Sequence, residues 1–111
     1  MAILNTLDRP WSRRLVTLEA AERLGRQGLL TIVGLLQRSE SQHWPIAGVF
    51  PGEDGGLRIE WRAGREQTLV EVEEDGTIYV AYFNFATGVE ADLDNAEHSK
   101  AVNFLDEHLN A

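Results

Sequence analysis

Carboxylates are the most numerous groups in this chain that could do chemistry, and several stand at short spacings. Glu71 and Glu73 are two residues apart, which in a β-strand puts both on one face, where they could share a proton. Asp92 and Asp94 repeat that spacing, and Glu73-Glu74-Asp75 is a continuous acidic run. Acid–base work on a glycoside also needs a deep cleft, which a strand face does not supply. The residues therefore read as a solvated strand surface with Arg58 or Arg62 as cross-strand partners. His43, His98 and His108 do not converge, since His98 and His108 would lie roughly 80° apart on a helix. A metal site needs three or four convergent ligands, and Asp92-Leu93-Asp94-Asn95 lacks the glycine and distal glutamate of a calcium loop. Ser12, Ser39, Ser41 and Ser99 lie in no nucleophile-elbow context. Gly52 and Gly55-Gly56 precede a strand and not a phosphate-binding helix. The expected catalytic set is empty, with no metal and no cofactor.

The elements that would position these groups are legible from periodicity. Asp8 and Pro10 suit a helix start. Trp11, Leu15, Leu18, Leu29, Ile32, Val33 and Leu36 then recur at three- and four-residue spacings, an amphipathic helix pattern. Gly25 and Gly28 interrupt it, so one bent helix or two helices turning at Gly25-Arg26-Gln27-Gly28 are expected. Leu29 to Gln37 favours helix over a buried strand. Arg38 to Trp44 is polar and reads as the connector to the second half.

After Pro45 the period changes from 3.6 to 2. Strands are expected near Ile46–Phe50, Leu57–Arg62, Thr68–Glu73, Thr77–Phe85 and Val89–Leu93. Turns fall at Glu53-Asp54-Gly55-Gly56, Ala63-Gly64-Arg65-Glu66, Asp75-Gly76 and Ala86-Thr87-Gly88. Asp94 with Glu97 resembles a capping box for a last helix, about 95–109, with Ala101, Val102, Leu105 and Leu109 as its apolar stripe. The expected fold is α+β in a single domain, 1–111: an N-terminal helix, an antiparallel meander of 4–5 strands over about 46–93, and a C-terminal helix.

Pro51-Gly52-Glu53-Asp54-Gly55-Gly56-Leu57-Arg58-Ile59-Glu60-Trp61, followed by Val70-Glu71-Val72 and Asp75-Gly76, resembles a group of small uncharacterised bacterial and phage-type α+β proteins. Their mark is a P-x-x-D-G-G-φ-x-φ-E-W hairpin followed by a φ-x-φ-x-x-D-G hairpin, where φ is apolar. The likeness covers the last two-thirds of the chain, with Gly52-Glu53 where the group has Thr-Pro. It implies a meander and transfers no activity.

Size and charge exclude several classes of function. The 111 residues are 43% hydrophobic and 25% charged, with no cysteine and a net charge of −8, the composition of one globular domain without a disulfide scaffold. No stretch approaches the roughly 20 apolar residues of a membrane span. Met1 to Arg14 does not read as a secretory signal, so the expected compartment is the cytoplasm. Residues 1–44 carry a net +2 and residues 45–111 a net −10. A negative surface disfavours phosphate backbones. Arg13, Arg14, Arg23 and Arg26 point in several directions on a helix, so direct nucleic-acid binding is not expected.

The two-residue period leaves one feature unabsorbed. If Ile59, Trp61, Val70, Val72, Ile78, Val80 and Tyr82 face the helices, the opposite face shows Arg58, Glu60, Arg62, Glu71 and Glu73, together with Tyr79, Ala81, Phe83 and Phe85. Aromatics among charges are covered by a helix or mark an interface. The leading expectation is a non-catalytic acidic module that binds a protein partner, a basic one among the candidates, or a second copy of itself, as an antitoxin, immunity protein or phage anti-defence inhibitor would. Its partner-binding residues would be Glu71, Glu73, Glu74, Asp75, Tyr79 and Phe83. The alternative is a small enzyme or ligand-binding protein with a pocket between helices and sheet, using Trp61, Tyr82 and His98.

Overall fold

The computed structural model describes residues 18–52 and 56–110, and the side chains among them from residue 24 onward. The expected cap at Asp8, Pro10, Trp11 and Leu15, and the Glu53-Asp54-Gly55 part of the first hairpin turn, lie outside the described residues. Helix α1 spans Leu18–Ser41 and is broken at Gly25, whose φ of 78° and ψ of 168° are not helical. Glycine reaches that conformation without steric cost, so the expected bend lies there. Gly28 is helical and serves a different purpose: a Cβ on it would stand 2.7 Å from Leu24 Cγ, so its missing side chain makes room for Leu24.

Leu24, Gly28, Ile32, Leu35, Leu36 and Ser39 are buried at three- and four-residue intervals, which is the stripe a helix turns toward a core. The helix runs through Ser41, so the segment from Arg38 onward, expected as a connector, is largely helical. Its polar character reflects one exposed face and one buried hydroxyl, Ser39, and not a loss of helix. The end is a Schellman motif. Trp44 N–H donates to Ser39 O at 3.0 Å and His43 N–H to Glu40 O at 3.2 Å, with His43 at φ 57° in the left-handed region.

Five strands follow: β1 Ala47–Pro51, β2 Leu57–Ala63, β3 Glu66–Val72, β4 Ile78–Asn84 and β5 Glu90–Leu93. They form one sheet in the order β1-β2-β3-β4-β5, every neighbouring pair antiparallel. Helix α2, His98–Leu109, closes the described chain. Val49, Leu57, Ile59, Trp61, Val70, Val72, Ile78 and Val80 bury their side chains in one core with Ile32 and Leu36 of α1 and Ala101, Phe104 and Leu105 of α2. Both helices thus lie on the same side of the sheet. The architecture is α+β, as the pattern of periods required.

Two features differ from expectation. Asp94 does not cap α2. The chain stays non-helical because Ala96 N–H donates to Ile78 O at 2.8 Å, tying the linker to β4, and Asn95 sits at φ 50°. The N-cap is Glu97, extended and without a side-chain capping bond. The second difference is β5, whose four residues are all exposed, although Ala91 and Leu93 alternate as a half-buried strand would. As an edge strand its inward face lies beyond the reach of the helices.

Three polar contacts tie α1 and the turn after it to α2 and to the sheet. Arg38 Nε and Nη2 donate to the two carboxylate oxygens of Asp106 at 2.8 and 2.6 Å, joining α1 to α2. Trp61 Nε1 donates to Ser39 Oγ at 2.8 Å inside the core, and Trp44 Nε1 donates to Asn110 Oδ1 at 2.6 Å. The two indole rings meet edge to face at 5.6 Å.

Candidate functional site: the outer sheet face

Because both helices pack on one side, the outward side chains of the sheet face away from them. Register sets these side chains in three rows across the strands. Arg58, Glu71 and Tyr79 form the first, Glu60, Leu69, Ala81 and Asp92 the second, and Arg62, Gln67, Phe83 and Glu90 the third. Phe50 of β1 stands beside Arg58. None of these outward residues belongs to the core cluster that contains both helices.

The β2–β3 half of the face is a continuous polar chain. Arg62 Nη2 donates to Gln67 Oε1 at 3.2 Å, and Gln67 Nε2 donates to Glu60 Oε1 at 3.1 Å. Arg58 Nη1 then lies 3.4 Å from Glu60 Oε2, and Arg58 Nε lies 3.5 Å from Glu71 Oε1. The last contact is an ion pair and not a hydrogen bond, since Arg58 Nε is enclosed without a hydrogen-bond partner and 3.5 Å exceeds the normal range. Arg58 therefore offsets the charge of both Glu60 and Glu71.

The β4–β5 half is aromatic and acidic. Phe83 stacks on Phe85 with centroids 6.3 Å apart and planes at 13°, and the Arg62 guanidinium carbon lies 6.0 Å from the Phe85 centroid. Tyr79 Oη donates to Asp92 Oδ2 at 3.2 Å. Partial burial is the main cause that raises the Tyr79 phenol above its ordinary pKa. The Asp92 hydrogen bond and the charges of Asp92, Asp94 and Glu90 push it the same way. Among the described residues no arginine or lysine pairs with Glu90 or Asp92. Tyr79, Phe83, Glu90, Ala91 and Asp92 line a shallow open depression of about 280 Å³.

The residues singled out from sequence separate into two places. Glu71, Tyr79 and Phe83 share the outer face, with Glu71 directly opposite Tyr79. Glu73 follows the end of β3, and Glu74 and Asp75 form the exposed tip of the β3–β4 hairpin. Asp75 acts locally there, accepting from the Thr77 backbone N–H at 2.9 Å and from the Thr77 hydroxyl. The hydroxyl bond first, and the backbone bond second, hold its carboxyl below the ordinary range.

Glu90, Asp92 and Gln67 were not in that set. Alternation along 89–93 puts Glu90 and Asp92 on one side of a strand, but only register reveals that this side is the one carrying Phe83. The residues expected for an internal pocket do not gather. Trp61 is 1% exposed in the core. Tyr82 stacks on His108 at 4.2 Å and donates to Glu66 Oε1 at 2.5 Å. His98 borders an open groove between α1 and α2 with Arg38 and Val102.

No family model matches the chain, and neither a curated protein nor a solved structure matches it. No helix among the described residues is long and apolar enough to cross a membrane.

Proposed function

We propose that this protein is a non-catalytic binding module that docks a protein partner through the outer face of its sheet. The observation that supports this most is the aromatic and acidic half of that face, Tyr79, Phe83 and Phe85 beside Glu90 and Asp92, turned away from both helices that build the core. Aromatic rings ringed by charged groups are the composition of interface centres and rims. The excess of acid steers association toward a basic surface, which suits a small inhibitor of the antitoxin, immunity or anti-defence kind working in the cytoplasm. Kinship with small phage-type meander proteins belongs to the same reading. Self-association through this face is the form the docking takes if the partner is a second copy.

The test compares wild type with Phe83→Ser and Glu90→Lys in affinity capture from the native cell and in solution mass by light scattering. Lys100→Ser, on α2 and remote from the sheet face, is the control. The reading expects a captured protein, or a dimer mass, that both face variants lose and the control keeps. Capture and mass unchanged in both face variants overturn it.

A further inference from the structure

Resting on that docking face, we infer that the depression between Tyr79 and Phe83 is a subsite for an arginine side chain presented by a basic partner protein. The strand geometry makes the space. Tyr79 and Phe83 are four residues apart on one face of β4, roughly 13 Å along the strand. Between them stands Ala81, which is fully buried and adds no bulk between the two rings, so that the rings and β5 line the depression. Asp92 lies directly opposite Ala81 and Glu90 directly opposite Phe83, so two carboxylates wall the gap that the two rings bracket. The resulting depression of about 280 Å³ has room for a side-chain head group.

The lining selects the chemistry of the occupant. An anion is repelled by Glu90 and Asp92. A divalent metal wants more ligands than these two carboxylates, and no cluster of three or more metal-binding side chains exists among the described residues. A flat organic cation meets both parts of the lining, because it is attracted to ring faces and can fork two N–H groups onto a carboxylate. Guanidinium does this better than ammonium, being planar and more weakly hydrated. The protein already uses the same pairing next door, where the Arg62 guanidinium lies over Phe85 and Phe85 stacks on Phe83. Asp92 is held toward the site by the Tyr79 hydroxyl.

The experiment is an NMR titration of the full-length protein with acetyl-Gly-Arg-Gly-amide. The isosteric but neutral citrulline peptide and the lysine peptide serve as comparisons. The expected result is amide shifts confined to residues 79–83 and 89–93, with the arginine peptide at least threefold tighter than citrulline and tighter than lysine. Asp92→Asn and Phe83→Ala should each weaken it threefold or more, and Glu107→Gln, an exposed carboxylate on α2, should not; the same spectra show that each variant is folded. Equal response to citrulline, or shifts elsewhere on the molecule, overturns the subsite. If the arginine peptide fails while Phe83→Ser still loses the captured partner, the subsite falls and the docking face stands. If capture too is unaffected by Phe83→Ser, both fall.

Discussion

Replacing Ser39 with alanine tests whether the buried hydroxyl of α1 holds the sheet to the helix layer. Ser39 is 5% exposed and Trp61 1%, and their 2.8 Å bond is the partner of the indole N–H. The substitution strands that donor in the core, which costs about 1–3 kcal/mol. Alanine returns part of this, because it is a better helix former than serine by roughly 0.5 kcal/mol. Desolvation wins, and the net loss is about 0.5–2.5 kcal/mol, or roughly 2–15 °C in Tm for a domain of this size. Urea unfolding followed by far-UV circular dichroism measures it. Trp61→Phe removes the donor instead and adds a packing loss of its own. The double variant should then be less destabilised than the sum of the singles by about 1 kcal/mol, as expected for two groups that satisfy each other. Wild-type stability in Ser39→Ala, or strict additivity in the cycle, would show that the hydroxyl does not carry this contact.

His43→Gly should stabilise the fold by up to about 1 kcal/mol, because His43 closes α1 at φ 57° and glycine lacks the left-handed penalty, against some added freedom in the unfolded chain. A lower urea midpoint in this variant refutes that account. Gly56→Ala should cost about 3 kcal/mol, at the top of the overpacking range, since its Cβ would fall 1.9 Å from the Val72 carbonyl oxygen; a fully stable variant would mean that β3 yields there without strain. The carboxyl of Asp75 is held below its ordinary range by Thr77, so its charged form stabilises the native state above the unfolded value of about 3.9 and is lost as pH falls through the lower native value. The gap in urea midpoint between wild type and Asp75→Asn should therefore be steady from neutral pH down to about 5 and close below 4, whereas a gap that ignores pH contradicts the assignment.

Strands and their faces were legible in the residues because side-chain alternation is a local property. Leu57, Ile59 and Trp61 declare an inward face without knowledge of their neighbours, and Asp75-Gly76 marks a hairpin by its own backbone needs. The same logic exposed Tyr79 and Phe83 as misfits on an outward face. It failed where a long-range contact competes with a local signal. Asp94 and Glu97 form a plausible capping pair, yet the bond from Ala96 to Ile78 keeps the chain non-helical to Glu97. Arg38 to Ser41 look like a polar linker, yet Trp61 and Asp106 each claim a polar group from that last turn of the helix. Gly56 suggests a turn conformation, whereas its place is dictated by the closeness of β3.

By itself the sequence determined that this is an α+β chain with a meander, that its second half is strongly acidic, and which residues of the central strands share a face. Periodicity and composition are sums over near neighbours along the chain, so they survive without coordinates. Only the tertiary structure decided that both described helices share one side of the sheet, that Arg58 offsets Glu60 and Glu71, and that Glu90 and Asp92 stand beside Phe83 and Tyr79. Those are pairings between strands and choices of side by helices, set by register and by packing at a distance, and a single strand's pattern carries no record of its neighbour.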